Sequence, residues 1–547
     1  MPYRIVLPLV ILFLVACKKE PDDHPNNDAI IIDSLFINGI YVPDDGSLDN
    51  VKGVYVELNA LFHQPVDTTL FNKEKFFITG GIDTNYFSRF SDDRRQLTLI
   101  LRDLEHLASY RVLLDQGSNL GGFIHDGYSV IFHTALDSTP KFPIITNDSL
   151  LTLVQRKTFD YFWDHGHPVS GLARDRKGGG NIVTSGGSGF GMMAILTGIE
   201  RGFISRKEGF DRLNTMVNFL LSPSATKFHG AFPHWLDGAT GAAIAFSMKD
   251  NGGDLVETAF LMQGLLTVRQ YFKNGSAEES ALCDSITRLW ENVEWDWYRR
   301  DGENRLYWHW SPDYNWEMNM PVTGWNEAMI VYILAAASPV HSIPRIVYDE
   351  GWARNGYIIN GRSYYNTVLP LGQDYGGPLF FAHYSFLGLD PRNLSDPYAG
   401  YMEQNTAHAR INFDYCVENP RNYQGYSNSI WGLTASDIPN GYSASSPTND
   451  LGVVAPTAAV SSIPYLPAES MEAIKFFYYV LGDKLWGEYG FYDAFSIEER
   501  WFASSYLAID QGPIICMIEN YRTGLLWELF MKDTDVQNGL DKLGFTY

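Results

Sequence analysis

The stretch from Asp250 to Leu266, DNGGDLVETAFLMQGLL, decides how the rest of the chain is read. It sets Asp250, Asp254 and Glu257 at the mouth of a segment that is apolar on nearly every side. A helix of that kind belongs inside a helical assembly, not on its surface. Two later stretches repeat the plan. GWNEAMIVYILAAA (324–337) puts Glu327 ahead of an apolar helix, and IDQGPIICMI (509–518) does the same with Asp510.

Each acid also has a purely local explanation. Asp254 and Glu257 have the spacing of a capping box, in which the N-cap oxygen accepts from the third helical amide and the Glu reaches back. Glu327 falls in the expected first turn of its helix, where the macrodipole favours a carboxylate. Asp510, ahead of Gly512-Pro513, can cap a loop. Asp250 escapes such accounts, because Asn251-Gly252-Gly253 separates it from the helix. Three carboxyl groups within eight residues also repel one another, which raises at least one pKa.

Outward from these stretches, helical periodicity recurs from about Asn147 to the C-terminus. It predicts helices near 149–164, 188–202, 206–221, 254–273, 277–292, 324–338, 376–388, 398–417, 467–482, 513–531 and 535–543, with a weaker candidate near 344–354. With almost no strand signal, helices in this number predict a barrel of helical hairpins, with an inner ring buried all round and an outer amphipathic ring. Segments 258–268, 328–337 and 514–518 have the inner character. Long loops rich in Gly, Tyr and Pro (171–187, 229–253, 301–323, 355–376 and 419–465) are expected to wall a cleft at one end.

Residues 30–140 read differently. Short β-branched and aromatic runs such as IIIDSLFI, GVYVELNA, QLTLILR, SYRVLLD and YSVIFHTAL alternate with turn residues at the spacing of an Ig-like sandwich. No cluster of acids or His stands out there, so a spacer role is favoured over carbohydrate binding.

The N-terminus, MPYRIVLPLVILFLVAC, carries Arg4 and then an apolar run too short to span a bilayer. Leu14-Val15-Ala16-Cys17 resembles a bacterial lipoprotein cleavage box, implying a signal peptide over 1–16, lipid attachment at Cys17 and a polar tether over 17–29. An outer-membrane lipoprotein facing the periplasm or the cell surface is the corresponding expectation, as a monomer. Cys283, Cys416 and Cys516 then remain, an odd number that predicts buried thiols and not a disulfide framework.

The 547 residues are 45% hydrophobic and 14% aromatic, with a net charge of −23. That balance supplies a large core and argues against a nucleic-acid partner, which would need clustered Lys and Arg. No CxxC or HExxH occurs, and no metal or cofactor is expected.

Paired carboxyl groups suit glycoside hydrolysis, one acid protonating the leaving oxygen and one carboxylate acting on water or as nucleophile. An apolar, aromatic setting for Glu327 beside Trp325 would raise its pKa and suit the acid. Trp308, His309, Trp310 and Trp325 flank Glu327 and are candidates for holding sugar rings, although aromatic clusters are more often core. His309 and His383 are read as structural.

Several longer stretches resemble one family: GLARDR (171–176), SGGSGFGMMAILTGIERGFIS (185–205), FPHWLDGATG (232–241), GGDLVETAFLMQGLL (252–266), LYWHWSPDY (306–314), GWNEAMIVYILAAASP (324–339) and GGPLFFAHYSFLGLDPR (376–392). Together they resemble the bacterial glucoamylase-like domain of glycoside hydrolase family 144 over about 147–545. The resemblance implies an (α/α)6 toroid over 141–547 and inverting hydrolysis of β-1,2-glucan or its oligosaccharides. It also implies Glu327 as general acid, Asp510 as general base, and substrate binding or proton relay by Asp250, Asp254 and Glu257, with Asp250 or Asp254 able to displace Asp510. Two other readings remain: a polysaccharide lyase on the same toroid, needing basic residues against a uronate, and a non-catalytic glycan-binding lipoprotein.

Overall fold

The computed structural model describes residues 29–71, 76–79, 86–114, 123–124 and 126–547. The signal peptide, Cys17 and nearly all of the tether lie outside the described residues. The chain divides into two compact units between Asp137 and Ser138.

In the first unit, alternation builds a sandwich. Along Tyr55–Phe62, Val56, Leu58, Ala60 and Phe62 are buried while their neighbours face outward, the period-two pattern of a half-buried strand. One sheet runs in the order Ile40–Val42, Ile32–Ile37, Tyr55–Phe62, Gln96–Arg102, Phe87–Phe90, antiparallel throughout. The other runs Gly46–Val51, Tyr128–Thr134, Ser109–Leu114, Phe76–Thr79. Leu58 and Leu99, paired in the first sheet, share one core with Val112 and Val130, paired in the second. This is the Ig-like layout that the spacing predicts.

The second unit is helical: α1 Asn147–Trp163, α2 Ser185–Glu200, α3 Arg206–Leu221, α4 Leu255–Phe272, α5 Ala277–Glu291, α6 Met329–Ala337, α7 Arg345–Val347, α8 Tyr401–Glu418, α9 Pro456–Ser461, α10 Pro467–Tyr479, α11 Gly482–Leu485, α12 Ala508–Thr523, α13 Leu525–Met531 and α14 Thr534–Leu543. Outer and inner segments alternate along the chain: α1/α2, α3/α4, α5/α6, 345–352/379–387, α8/α9 and α10/α12, the (α/α)6 toroid. The sequence distinguishes the two rings directly. Every residue of α4 from Leu255 to Val268 is buried, as is all of α6, whereas α3 buries only Gly209, Leu213, Met216, Val217 and Leu220. Outer helices carry their own start signals, with full capping boxes at Ser205/Glu208 and Ser276/Glu279.

α2 and α4 cross in backbone contact. A Cβ on Gly189 would stand 2.1 Å from the Phe260 carbonyl oxygen, and one on Gly264 would stand 2.2 Å from that of Gly189. The Gly-rich SGGSGFG start of α2 is therefore a packing requirement.

Four expectations need correction. Residues 376–388 form two 3-10 turns, Leu379–Ala382 and Ser385–Leu387, and Gly376 and Gly377, at φ 91° and 92°, stand outside the helical region. The apolar helix after GWNE begins only at Met329, so Glu327 precedes its first turn. The long helix expected over 513–531 starts earlier, at Ala508, and breaks at Gly524, φ 75°, into α12 and α13. The loop expected over 419–465 contains a hairpin, Ala435–Ile438 with Gly441–Ala444, and α9, begun by Pro456 at its first position. Among the described residues, no helix is long and apolar enough to cross a membrane. Cys283, Cys416 and Cys516 are free thiols, the last two buried.

Candidate active site

The N-terminal ends of α2, α4 and α12 face one end of the toroid and surround a cavity of about 590 Å³. Its walls include Asp175, Arg176, His234, Trp235, Phe246, Glu257, Tyr384 and Tyr442. A wider depression of about 930 Å³ lies at the opposite end, among Arg201, Lys475 and Arg522. Its ion pairs are satisfied internally, Arg201 with Glu519 and Arg522 with Asp148, so the chemistry belongs to the first cavity.

At the α4 mouth, the capping-box expectation is half met. Asp254 is the N-cap and accepts from the Val256 and Glu257 amides at 3.0 and 2.9 Å. Glu257 does not reach back. Its Oε2 instead accepts from the Gly186 amide at 2.8 Å and the Thr184 hydroxyl at 3.2 Å, tying α4 to the start of α2. The pairing of Asp254 with His309 and the bond from the Leu255 amide to the Trp308 carbonyl at 2.7 Å fix where α4 begins. His309 thereby comes within 3.6 Å of Asp250, Nε2 to Oδ1.

His234, which has no role in the sequence reading, lies among these acids. The antiparallel strands Ile182–Thr184 and Trp235–Asp237, with a bond from the Ser185 amide to the His234 carbonyl at 3.1 Å, hold it there. Its Nδ1 stands 3.4 Å from Asp254 Oδ2, and its ring stacks on Phe246 with centroids 4.2 Å apart. Burial pulls its pKa down, but Glu257, Asp254 and Asp250 more than offset this and push it up to about 9. Burial first, then the Asp254 charge, pushes Asp250 up to about 7, and burial also raises Glu257. His234, Asp250 and Asp254 place three ligand-type atoms within 4.8 Å of one another. A proton on His234 gives these acids a positively charged neighbour.

Glu327 lies in the approach to α6, where the Ser385 hydroxyl donates to its carbonyl. Burial pushes its carboxyl up to about 8, with a smaller contribution from the Glu257 and Asp254 charges. At neutral pH it holds a proton, the state of a general acid.

At the third mouth, Asp510 sits in the first turn of α12 and not on a loop ahead of it. The loop ahead of α2 positions its surroundings, because Arg176 pairs with Leu507 and the Ala508 amide donates to the Asp175 carbonyl at 2.9 Å. Asp510 is not the isolated ionised group that its local sequence predicts. It is buried beside Asp493, and burial, then the Asp493 charge, raises its pKa well above the usual carboxylate range. Asp493 is raised too, chiefly by burial. Its Oδ2 accepts from the Asp437 amide at 2.7 Å, and Asp437 accepts from Ser505 at 2.5 Å and faces Arg176 at 3.4 Å. Tyr384, a cavity wall, connects the mouths: burial raises its phenol, and the charges of Asp510, Glu327 and Glu257 all act on it.

Sequence reasoning thus found the acids but not their partners His234, Asp437, Asp493, Tyr384 and Tyr442. Their chain positions are scattered, and only His234, in FPHWLDGATG, and Tyr384, in GGPLFFAHYSFLGLDPR, lie within stretches that stand out along the chain. Trp325 is buried against Phe386, Tyr401 and His408, and Trp310 packs against Phe228, His229 and Trp297. Of the candidate site residues only Glu257 is itself among the walls of this cavity, whose aromatic walls are Trp235, Phe246, Phe380, Tyr384 and Tyr442. LYWHW is a structural strand edge whose backbone positions α4.

Six helical hairpins closing into a ring, with carboxyl groups collected at the N-terminal ends of its inner helices, define an (α/α)6 toroid with an acidic cleft. The family model "Glycoamylase: Putative glucoamylase" matches residues 319–534. The exo β-1,2-glucooligosaccharide sophorohydrolase (non-reducing end) of Parabacteroides distasonis is 47% identical over 421 residues, 73% of this chain and 58% of that protein. The chain therefore spans somewhat over half the length of this curated relative. The endo-β-1,2-glucanase of Chitinophaga pinensis, solved with sophorotriose and glucose, is 55% identical, with a TM-score of 0.72 over 74% of this chain and 99% of that one. A β-1,2-glucanase structure from Parabacteroides distasonis is 38% identical, with a TM-score of 0.71 over 94% of this chain and 74% of that one. The chain belongs to the glucoamylase-like family, glycoside hydrolase family 144.

Proposed function

We propose that the protein hydrolyses β-1,2-glucosidic bonds in β-1,2-glucan or its oligosaccharides with inversion, Glu327 serving as general acid and Asp510 as general base. The observation that carries this is the Glu327 carboxyl, raised to about 8 and so protonated near neutral pH, with its backbone tied through the Ser385 hydroxyl to the segment of the cavity-wall residue Tyr384. The activities of the relatives supply the linkage. Glu327 protonates the departing glucosidic oxygen while a water, losing its proton towards Asp510, attacks the anomeric carbon from the opposite face. Asp250, Asp254 and Glu257, balanced by His234, hold the sugar hydroxyls. Lysis of a uronate is disfavoured, since the one Arg or Lys among the cavity walls, Arg176, is already turned towards Asp437 and Asp175.

Anchoring by lipid at Cys17, with the toroid facing the periplasm or the cell surface, completes the proposal. Metabolic labelling with a fatty-acid analogue should mark the wild type and not Cys17→Ser.

A panel of linear β-1,2, β-1,3, β-1,4 and α-1,4 glucans, with product sizes followed over time, tests the activity. Reducing ends should appear with the β-1,2 substrate alone; turnover of another linkage at equal rate would overturn the assignment. The relatives include an exo and an endo enzyme, and disaccharide from the earliest times separates the first from the second.

A further inference from the structure

Asp493 has no part in the mechanism above, yet it is one of the most enclosed acids of the second unit, 2% exposed. Asp510 beside it is also 2% exposed. No backbone amide and no neutral or basic side chain donates to either carboxyl oxygen of Asp510, or to Oδ1 of Asp493. Each carboxyl finds its side-chain hydrogen-bonding partner in the other. Two carboxylates cannot bond to each other, because both only accept; one proton between them makes a donor and an acceptor. Two buried carboxylates side by side would otherwise repel each other, which favours a proton on one of them.

We propose that Asp493 is a positioning residue that shares a single proton with Asp510, so that the basic group at the α12 mouth is a carboxylic acid and carboxylate pair with one negative charge. The proposal rests on the assignment of Asp510 as the base. The Asp437 amide occupies Oδ2 of Asp493 and leaves Oδ1 without a donor. That amide belongs to the hairpin Ala435–Ile438/Gly441–Ala444, which Arg176 and Ser505 hold through the Asp437 carboxylate.

In the reacting form the shared proton rests on Asp493 and is donated to one oxygen of Asp510. The other oxygen of Asp510 takes a proton from water as the water oxygen bonds to the anomeric carbon. The glucosidic bond breaks with its electron pair on the leaving oxygen, which takes the Glu327 proton. The pair ends with two protons and Glu327 with none, and loss of one proton to solvent and gain of one by Glu327 restore the start. Asp493 thus keeps Asp510 in register and sets the pH at which it becomes available.

Two measurements test this. The first counts protonated carboxyl groups near neutral pH from their C=O stretch in the infrared, on full-length protein without substrate. Asp493→Asn, Asp510→Asn and the double variant should each lose the same single group. Loss of none in the single variants, or of two in the double, overturns the sharing, whatever the substrate proves to be. The second follows kcat/KM against pH on the β-1,2-glucooligosaccharide. A carboxylic acid is a stronger donor than an amide, and Ala donates nothing. The acidic limb should therefore move to higher pH in the order wild type, Asp493→Asn, Asp493→Ala, with KM little changed and kcat falling about 10- to 100-fold. A structural role alone would lower kcat without that order, and coincident limbs would overturn the proposal. If the Ala variant does not fold, the Asn variant and the carboxyl count still decide. Normal carboxyl counts with no β-1,2 turnover would sink the function and leave the pair standing.

Discussion

Replacing Glu327 with Gln changes one proton and almost no volume, so its consequences can be worked out in advance. The carboxyl is raised from 4.5 to about 8, chiefly by burial. Some 3.5 pH units at about 1.36 kcal/mol each give an upper bound of about 5 kcal/mol for forcing the charge into this site. Glu327 is partly exposed, which reduces that to about 3 kcal/mol.

The sign follows from linkage. Below the unfolded pKa both states are protonated and the site contributes nothing. As pH rises from 4.5 towards 8, the unfolded chain ionises while the folded one holds its proton, so the wild type loses stability, levelling off above 8. Gln has no such penalty. Glu327→Gln should therefore match the wild type near pH 4.5 and exceed it by about 3 kcal/mol near pH 8.5, a Tm difference of several degrees that opens with pH. Turnover of β-1,2-glucooligosaccharides should fall about 10²- to 10⁴-fold, the usual worth of general acid catalysis, with binding retained. Melting curves at half-unit pH steps and steady-state rates check both. A pH-independent Tm difference would show that the carboxyl is not raised, and near-normal turnover would remove Glu327 as the acid.

Other outcomes follow from the same structure. His234 is raised from 6.5 to about 9, so its contribution is fully present below pH 6.5 and lost as pH rises through 9. His234→Gln should be less stable than the wild type by about 2–3 kcal/mol at pH 6, the deficit closing by pH 9.5; a constant deficit in denaturant titrations would contradict this. At the far end of the toroid, Arg201 grips Glu519 through two bonds of 2.6 and 2.9 Å, with Glu519 1% exposed. Arg201→Ala strands that charge and should cost about 3–5 kcal/mol while leaving KM unchanged, as joint unfolding and kinetic measurements would show. Gly264→Ala pushes a methyl into the Gly189 carbonyl and should cost at least about 3 kcal/mol, more than ordinary overpacking, because backbone cannot turn aside; a variant melting with the wild type would refute the close crossing of α2 and α4.

The sequence by itself determined the two-unit division of character and the ring of helices, for a physical reason. Alternation along Tyr55–Phe62 and all-round apolarity in α4 and α6 are burial patterns that one element must satisfy alone. It likewise marked Asp250, Asp254, Glu257, Glu327 and Asp510, because an acid ahead of an apolar helix is conspicuous along the chain. Tertiary structure alone decided what each acid does. Glu257 reads as a capping partner of Asp254, yet it turns to Gly186, 71 residues away in the chain. Asp510 reads as a lone carboxylate until Asp493 is placed against it, and Asp493 is set by the amide of Asp437, 56 residues away in the chain. Trp310 and Trp325 read as sugar platforms, and only the fold shows that each also packs against rings from distant segments. Protonation state and exposure depend on neighbours brought together from distant segments, and local sequence carries no record of those distances.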